Sequence, residues 1–228
     1  NYYYDDKGAE SMKGLLIKDF SLMKGQTRFF IIIVVIAIAI GAFYNNLSFM
    51  IGYLPFVISL FTLTTISYDE FDNGNAFLFT LPINRKIYIY EKYCLVFLLG
   101  GSSLVLATLL AIIFGITRNI ASIPEILITA ITILPIMLII QSVMIPIQLK
   151  FGAEKGRIVI IGVSGFLFIL GIVIIKATEH LGLDIRTYID SLPTLSMTWF
   201  IVSSIAFAIL MLFISMKISI AIMNKKEF

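Results

Sequence analysis

Apolar residues fall into long runs divided by short polar stretches, and the spacing of those stretches predicts the elements. The runs are about Phe29 to Phe43, Phe49 to Tyr68, Tyr93 to Ile116, Ile126 to Ile147, Ile158 to Ile175 and Trp199 to Met223. Five of them have the length that crosses a bilayer as a helix, roughly 20 residues, and the first, ending at Tyr44-Asn45-Asn46, is short. Ahead of them, Met12 to Arg28 spaces Leu15, Leu16, Phe20 and Met23 near the helical period with Lys13, Lys18 and Lys24 between, the pattern of a helix lying in the membrane interface. Between runs five and six, Ile185, Ile189 and Leu192 recur at i, i+4, i+7 and predict a short amphipathic helix on the outer surface. The expected fold is all-α, with six transmembrane helices.

Composition agrees with the pattern. Of 228 residues, 59% are hydrophobic and 14% charged, against about 25% charged in soluble domains, and mean hydropathy is +1.00. One transmembrane domain, residues 12–228, accounts for the chain; residues 1–11 read as a tag or linker. No cleavable signal peptide is expected, because the apolar run after the basic leader has no small-residue cleavage pattern behind it.

Charge orients the bundle. Twelve Lys and Arg fall on the side of the leader, the second and fourth connections and the tail, against Arg118, Lys176 and Arg186 on the other. Basic residues stay cytoplasmic, so both termini are expected there. The bases are dispersed and the net charge is +3, which gives no reason to expect a nucleic-acid partner.

Chemistry is sparse. One Cys and one His cannot make a protein-only zinc site, and no metal site is expected. A phosphate-binding loop needs Gly-Lys before Ser or Thr, and the chain has no Gly-Lys pair. Runs one to five carry no Asp, Glu, Lys or Arg inside, which disfavours ion-coupled transport; Lys217 in run six is near enough to the end to snorkel. Gly162-Val163-Ser164-Gly165 matches an intramembrane protease nucleophile, but His180, the one histidine, falls in the outer connection, so no general base is at hand. No catalytic residue is expected. Gln141, deep in run four, reads as a packing hydrogen bond, and Pro135 and Pro146 should bend or break that helix. Ser103, Ala107, Ala111 and Gly115 form a small-residue stripe along run three, as Ala37 and Gly41 do in run one. Such stripes let helices approach closely, within one bundle or between subunits; the run-three stripe is taken as a candidate subunit contact.

The second connection, DEFDNGNAFLFTLPINRKIYIYEK, crowds carboxylates, bases and aromatic residues into residues 69 to 92. Tyr68-Asp69-Glu70, a Gly-containing aromatic segment, Leu81-Pro82-Ile83-Asn84-Arg85-Lys86 and Tyr90-Glu91-Lys92-Tyr93 resemble the first cytoplasmic loop of bacterial ABC type-2 exporter permeases. There the pattern is Asp-Glu, then Ser-Leu-Pro-Val-Ser-Arg-Lys-Glu, then Lys-Tyr opening the third span. The Met12 to Phe20 leader is similar to that family's, and the resemblance covers the chain from Met12 onward. Asn84 replaces the usual Ser as helix N-cap, at no cost; Ile87 replaces Glu, so the reciprocal half of a capping box is missing and helix entry is expected to be less rigid.

The resemblance implies a permease subunit of an ATP-driven exporter in the bacterial plasma membrane. It would pair with a second permease, as a homodimer or heterodimer, and seat two ABC ATPase subunits. It implies no cofactor in this chain, with ATP and Mg bound by the partner. The second connection would contain a cytoplasmic coupling helix, contacting the ATPase through Glu70, Phe71, Asp72, Phe77, Leu78, Phe79, Leu81, Pro82 and Arg85. Its apolar side chains would fill a cleft while Glu70, Asp72 and Arg85 paired at the rim. The uncharged lining suits hydrophobic or amphipathic cargo moved amid membrane lipid, amphipathic peptides first and lipid, polysaccharide or drugs next. A non-pumping immunity or assembly protein is the alternative outside this class.

Overall fold

The computed structural model describes residues 2–71, 74–81, 83–180 and 197–226, with side chains from residue 10 onward except for some between 153 and 180. Among these the elements are helices: α1 Tyr2–Gly25, α2 Thr27–Tyr44, α3 Leu47–Ser59, α4 Phe61–Glu70, α5 Gly74–Leu78, α6 Arg85–Arg118, α7 Ile123–His180 and α8 Met197–Lys225. α1 runs without a break through residues 2–11, the stretch read as a tag or linker.

Local chemistry sets several of the ends. Asn45 closes α2 in the left-handed region (φ 52°), a conformation Asn tolerates better than most residues. The Asn46 side chain then accepts from the Phe49 amide at 2.9 Å and caps α3. Asn84 caps α6 by accepting from the Lys86 amide at 3.0 Å, as expected. Asn119 ends α6 at φ 52°, and Glu125 accepts from the Ser122 amide at 3.2 Å just ahead of α7.

Five helical segments among the described residues are long and apolar enough to cross a membrane: Thr27–Tyr44, Leu47–Glu70, Arg85–Arg118, Ile123–Gly152 and Thr198–Lys225. Their outward faces carry exposed Ile31, Ile32 and Val35 on α2, Val105, Leu109 and Ile113 on α6, and Phe207, Leu210 and Phe213 on α8. Apolar surface this extensive requires lipid around it. The chain is a multi-pass membrane protein. The expected run Ile158 to Ile175 lies in the second arm of α7, and the expected outer helix with Ile185, Ile189 and Leu192 lies outside the described residues.

The helix does not break at Pro135 or Pro146. Both prolines sit inside α7, and its non-helical residue is Gly152 (φ 76°, ψ 179°). That φ is strained for any residue with a Cβ, and a Cβ there would meet Glu70 Oε2 at 3.3 Å. The fourth connection is therefore a sharp kink at Gly152, where two helical arms of α7 meet.

Two core clusters hold the bundle. The first joins α2, α3, α6 and the start of α7 through Ile33, Met50, Ile51, Leu54, Leu99 and Ile126. Ala107 and Ala111 are fully buried in it, while Ser103 is 4% exposed and donates to the Leu99 carbonyl. A Cβ on Gly115 would meet Ile126 at 2.8 Å. The stripe proposed for a subunit contact is thus occupied by helices of its own chain, because α3 and α7 fill the groove that the small residues leave. The second cluster joins Leu15 of α1, Ile66 of α4, Leu78 of α5, Tyr88 and Ile89 of α6, Ile145 and Leu149 of α7, and Leu212 and Met223 of α8.

Polar contacts cross-link the helices inside these clusters. Gln141 donates to Ser59 Oγ at 2.8 Å and Gln148 to Ser67 Oγ at 3.0 Å, tying α7 to α3 and α4. Gln141 is a packing residue, as its position suggested. Tyr93 OH bonds Ser215 at 2.5 Å and Ser219 at 2.9 Å, tying α6 to α8.

Candidate functional site

The second connection sits where α4, α6, α7 and α8 converge. α4 ends at Glu70, and Phe71 leaves it in extended backbone (φ −66°, ψ 139°). The chain then turns back so closely that a Cβ on Gly74 would lie 2.9 Å from the Asp69 carbonyl, which explains glycine at the start of α5.

The expected ATPase-contact residues divide into two sets. Phe71 and Phe77 are 72% and 71% exposed, and Leu81 is 44% exposed. Leu78 is buried in the second core cluster, and Phe79 packs edge-on against Tyr88 with ring centres 5.8 Å apart. The outward set offers an apolar surface, and the inward set fixes α5 to the bundle. Asp72 and Pro82 lie outside the described residues.

Neither Glu70 nor Arg85 stands at a free rim. Lys226 Nζ reaches Glu70 Oε1 at 2.6 Å. Arg85 donates to the carbonyls of Met223, Asn224 and Lys226 at 2.8, 3.1 and 2.8 Å, and its guanidinium lies 5.7 Å from the Phe79 ring centre. The unsatisfied carbonyls ending α8 attract a cation for both hydrogen bonding and dipole reasons. Arg85 therefore staples the start of α6 to the end of α8. This also answers the departure at Ile87: the side chain packs against the second core cluster, and the Arg85 staple holds the helix start that a capping-box glutamate would otherwise hold.

Behind this surface lies a buried charge cluster that sequence reasoning missed. Lys92, Asp19 and Glu91 are fully buried and Asp69 is 8% exposed. Lys92 Nζ lies 2.5 Å from Asp19 Oδ2, 3.0 Å from Asp69 Oδ2, 3.3 Å from Glu91 Oε2 and 3.1 Å from Thr65 Oγ1. Lys18 pairs with Asp69 and lies 3.2 Å from Asp19, and Tyr88 OH donates to Asp69 at 3.1 Å. Burial alone would raise the Asp19 carboxyl, but the Lys92 and Lys18 ammonium groups outweigh it and hold it below its ordinary value. The cluster binds α1 to α4 and α6; Gln26 adds a hydrogen bond to Tyr68 OH at 2.9 Å. The signal in the sequence was Lys18-Asp19 inside an apolar leader and Asp69 and Lys92 flanking two spans. What a sequence does not give is that separations of 73 and 51 residues close in space.

A family model described as ABC-2 family transporter protein matches residues 14–224. The chain belongs to the ABC-2 transporter family. As an ABC-2 protein it is a membrane permease subunit of an ABC transporter, a transport subunit in a family that generally works with ABC ATPase partners. No curated protein and no solved structure matches the chain. α5 and its flanks present exposed Phe71, Phe77 and Leu81 backed by the packed Leu78 and Phe79.

Proposed function

We propose that this ABC-2 permease is an exporter subunit of the bacterial plasma membrane, with six spans and both termini cytoplasmic, and that α5 is its coupling helix. Two permease copies, alike or different, would form the pathway above two ATPase subunits. Phe71, Phe77 and Leu81 would enter a cleft of the ATPase, and Leu78, Phe79 and Arg85 would carry its movement into α6 and α8. The cargo would be an amphipathic peptide, in keeping with the apolar spans and the lack of an acidic or basic residue inside runs one to five.

One observation carries this reading. Phe71, ahead of a short helix, and Phe77, on it, are more than two-thirds exposed, while the adjoining Leu78 and Phe79 are packed into the second core cluster. Aromatic anchors on a rigid mount are what an interface hot spot needs. The test is co-expression with the ATPase encoded nearest to this chain, followed by affinity purification. Wild type should retain the ATPase, and Phe71→Ser with Phe77→Ser should lose it by tenfold or more while melting like wild type, since neither ring is buried. Retention of the ATPase by the double variant would refute α5 as the contact. Peptide cargo is tested separately, by ATP-dependent uptake of a fluorescent amphipathic peptide into inverted vesicles against a neutral drug and a lipid analogue.

A further inference from the structure

A second site lies between α7 and α8 at the lysine-rich end. A cavity of about 520 Å³ is lined, among the described residues, by Lys150, Ile218, Ala221, Ile222, Lys225 and Lys226. Its size falls in the range of small-molecule sites. Lys226 is engaged by Glu70. Among the described residues, Lys150 and Lys225 have no carboxylate within ion-pair distance, and both are exposed.

The lining has two parts, apolar Ile218, Ala221 and Ile222 and basic Lys150, Lys225 and Lys226. Exposed Phe213, Ile214 and Ile218 on α8 lead along the outer surface toward the cavity, which then meets Lys225 and, from α7, Lys150. An apolar track ending in two cations that have no carboxylate partner among the described residues matches a molecule with an apolar tail and an anionic head. A soluble anion would have no use for the isoleucines, and a neutral lipid none for the lysines.

We propose that this cavity binds one anionic phospholipid, its phosphate between Lys150 and Lys225 and its acyl chain along Ile218 and Ile222. Lys150 lies two residues before the α7 kink at Gly152, and Gly152 abuts Glu70, the partner of Lys226. The lipid would therefore join α7 to α8 beside the second connection. The proposal does not depend on cargo or on α5 as the ATPase contact.

The test uses the full chain, delipidated in uncharged detergent. Native mass spectrometry compares phosphatidylglycerol with phosphatidylcholine of the same acyl chains, and thermal melting compares both with inorganic phosphate. One phosphatidylglycerol should be retained in preference to phosphatidylcholine, and inorganic phosphate should leave the melting temperature unchanged. Lys150→Gln with Lys225→Gln should weaken phosphatidylglycerol by about thirtyfold, from two basic contacts at the membrane surface. Lys150→Arg with Lys225→Arg should keep the preference, as should Lys13→Gln, an exposed lysine on α1. Equal retention of the two lipids, wild-type binding by the double glutamine variant, loss in the Lys13→Gln control, or equal stabilisation by free phosphate would each overturn the proposal.

Discussion

Replacing Lys92 with methionine keeps the length of the side chain and removes its charge. Lys92 is fully buried and its ammonium contacts Asp19, Asp69 and Glu91. Without it, Asp19 and Asp69 are left with Lys18 alone, and Glu91 loses its ion-pair partner. Stranding buried charge in this way costs about 3–5 kcal/mol, and in a protein of this size each kcal/mol shifts melting by about 2–4 °C. Lys92→Met should therefore melt roughly 6–20 °C below wild type in the same detergent. Cys94, the one thiol in the chain, is half-buried two residues from the change, so a thiol-reactive dye reads unfolding at the perturbed helix; circular dichroism supplies a second probe. Asp19→Asn in the Lys92→Met background removes one stranded carboxylate and should recover about 1–3 kcal/mol relative to the sum of the single effects. If Lys92→Met melts within about 2 °C of wild type, or if the two losses simply add, the cluster does not clamp α1 to the bundle and the reasoning fails.

Acidification gives an independent check on the same cluster. Because the folded Asp19 carboxyl is held below its ordinary 3.8, its stabilisation is present above that value and lost as pH falls through the lower folded value. The melting difference between wild type and Asp19→Asn should shrink as pH falls below about 4. Two alanine substitutions should have opposite signs: Gly152→Ala, at φ 76°, should cost about 1–2 kcal/mol, whereas Gly101→Ala, helical with open space around it, should be neutral or slightly stabilising, both read by melting. Arg85→Ala removes the two Nη1 N–H donors shared among three carbonyls at the end of α8, each hydrogen bond worth about 1.5–3 kcal/mol when the donor is charged. Amide exchange at residues 220–226 should accelerate by at least about tenfold, and unchanged exchange would remove the staple from the account.

What the sequence disclosed was local. The Tyr44-Asn45-Asn46 turn and the Asn84 cap were legible because a turn residue and its capped amide lie within a few positions of each other. The spans were legible because lipid demands an apolar run. The fourth connection was legible as a basic break between two apolar runs, and the non-helical Gly152 falls inside it, between Lys150 and Lys155; that the break is a single kinked residue flanked by helix was not visible. Pro135 and Pro146 remain within the helix, each lacking one backbone donor in a span whose other bonds persist. The stripe from Ser103 to Gly115 announced a close neighbour without saying which. The division of the aromatic segment into outward Phe77 and inward Phe79 was not visible either, because it depends on where Tyr88 of α6 comes to rest.

The staple of Arg85 on the end of α8, with Glu70 gripping Lys226, joins the first third of the chain to its last residues. The bundle is in effect a closed hoop, although its backbone is open. Pressure on the short helix α5 need not travel along the whole chain to reach α8. It arrives in one step at α8 and in another at α6, so the two walls on either side of that junction are geared to turn together.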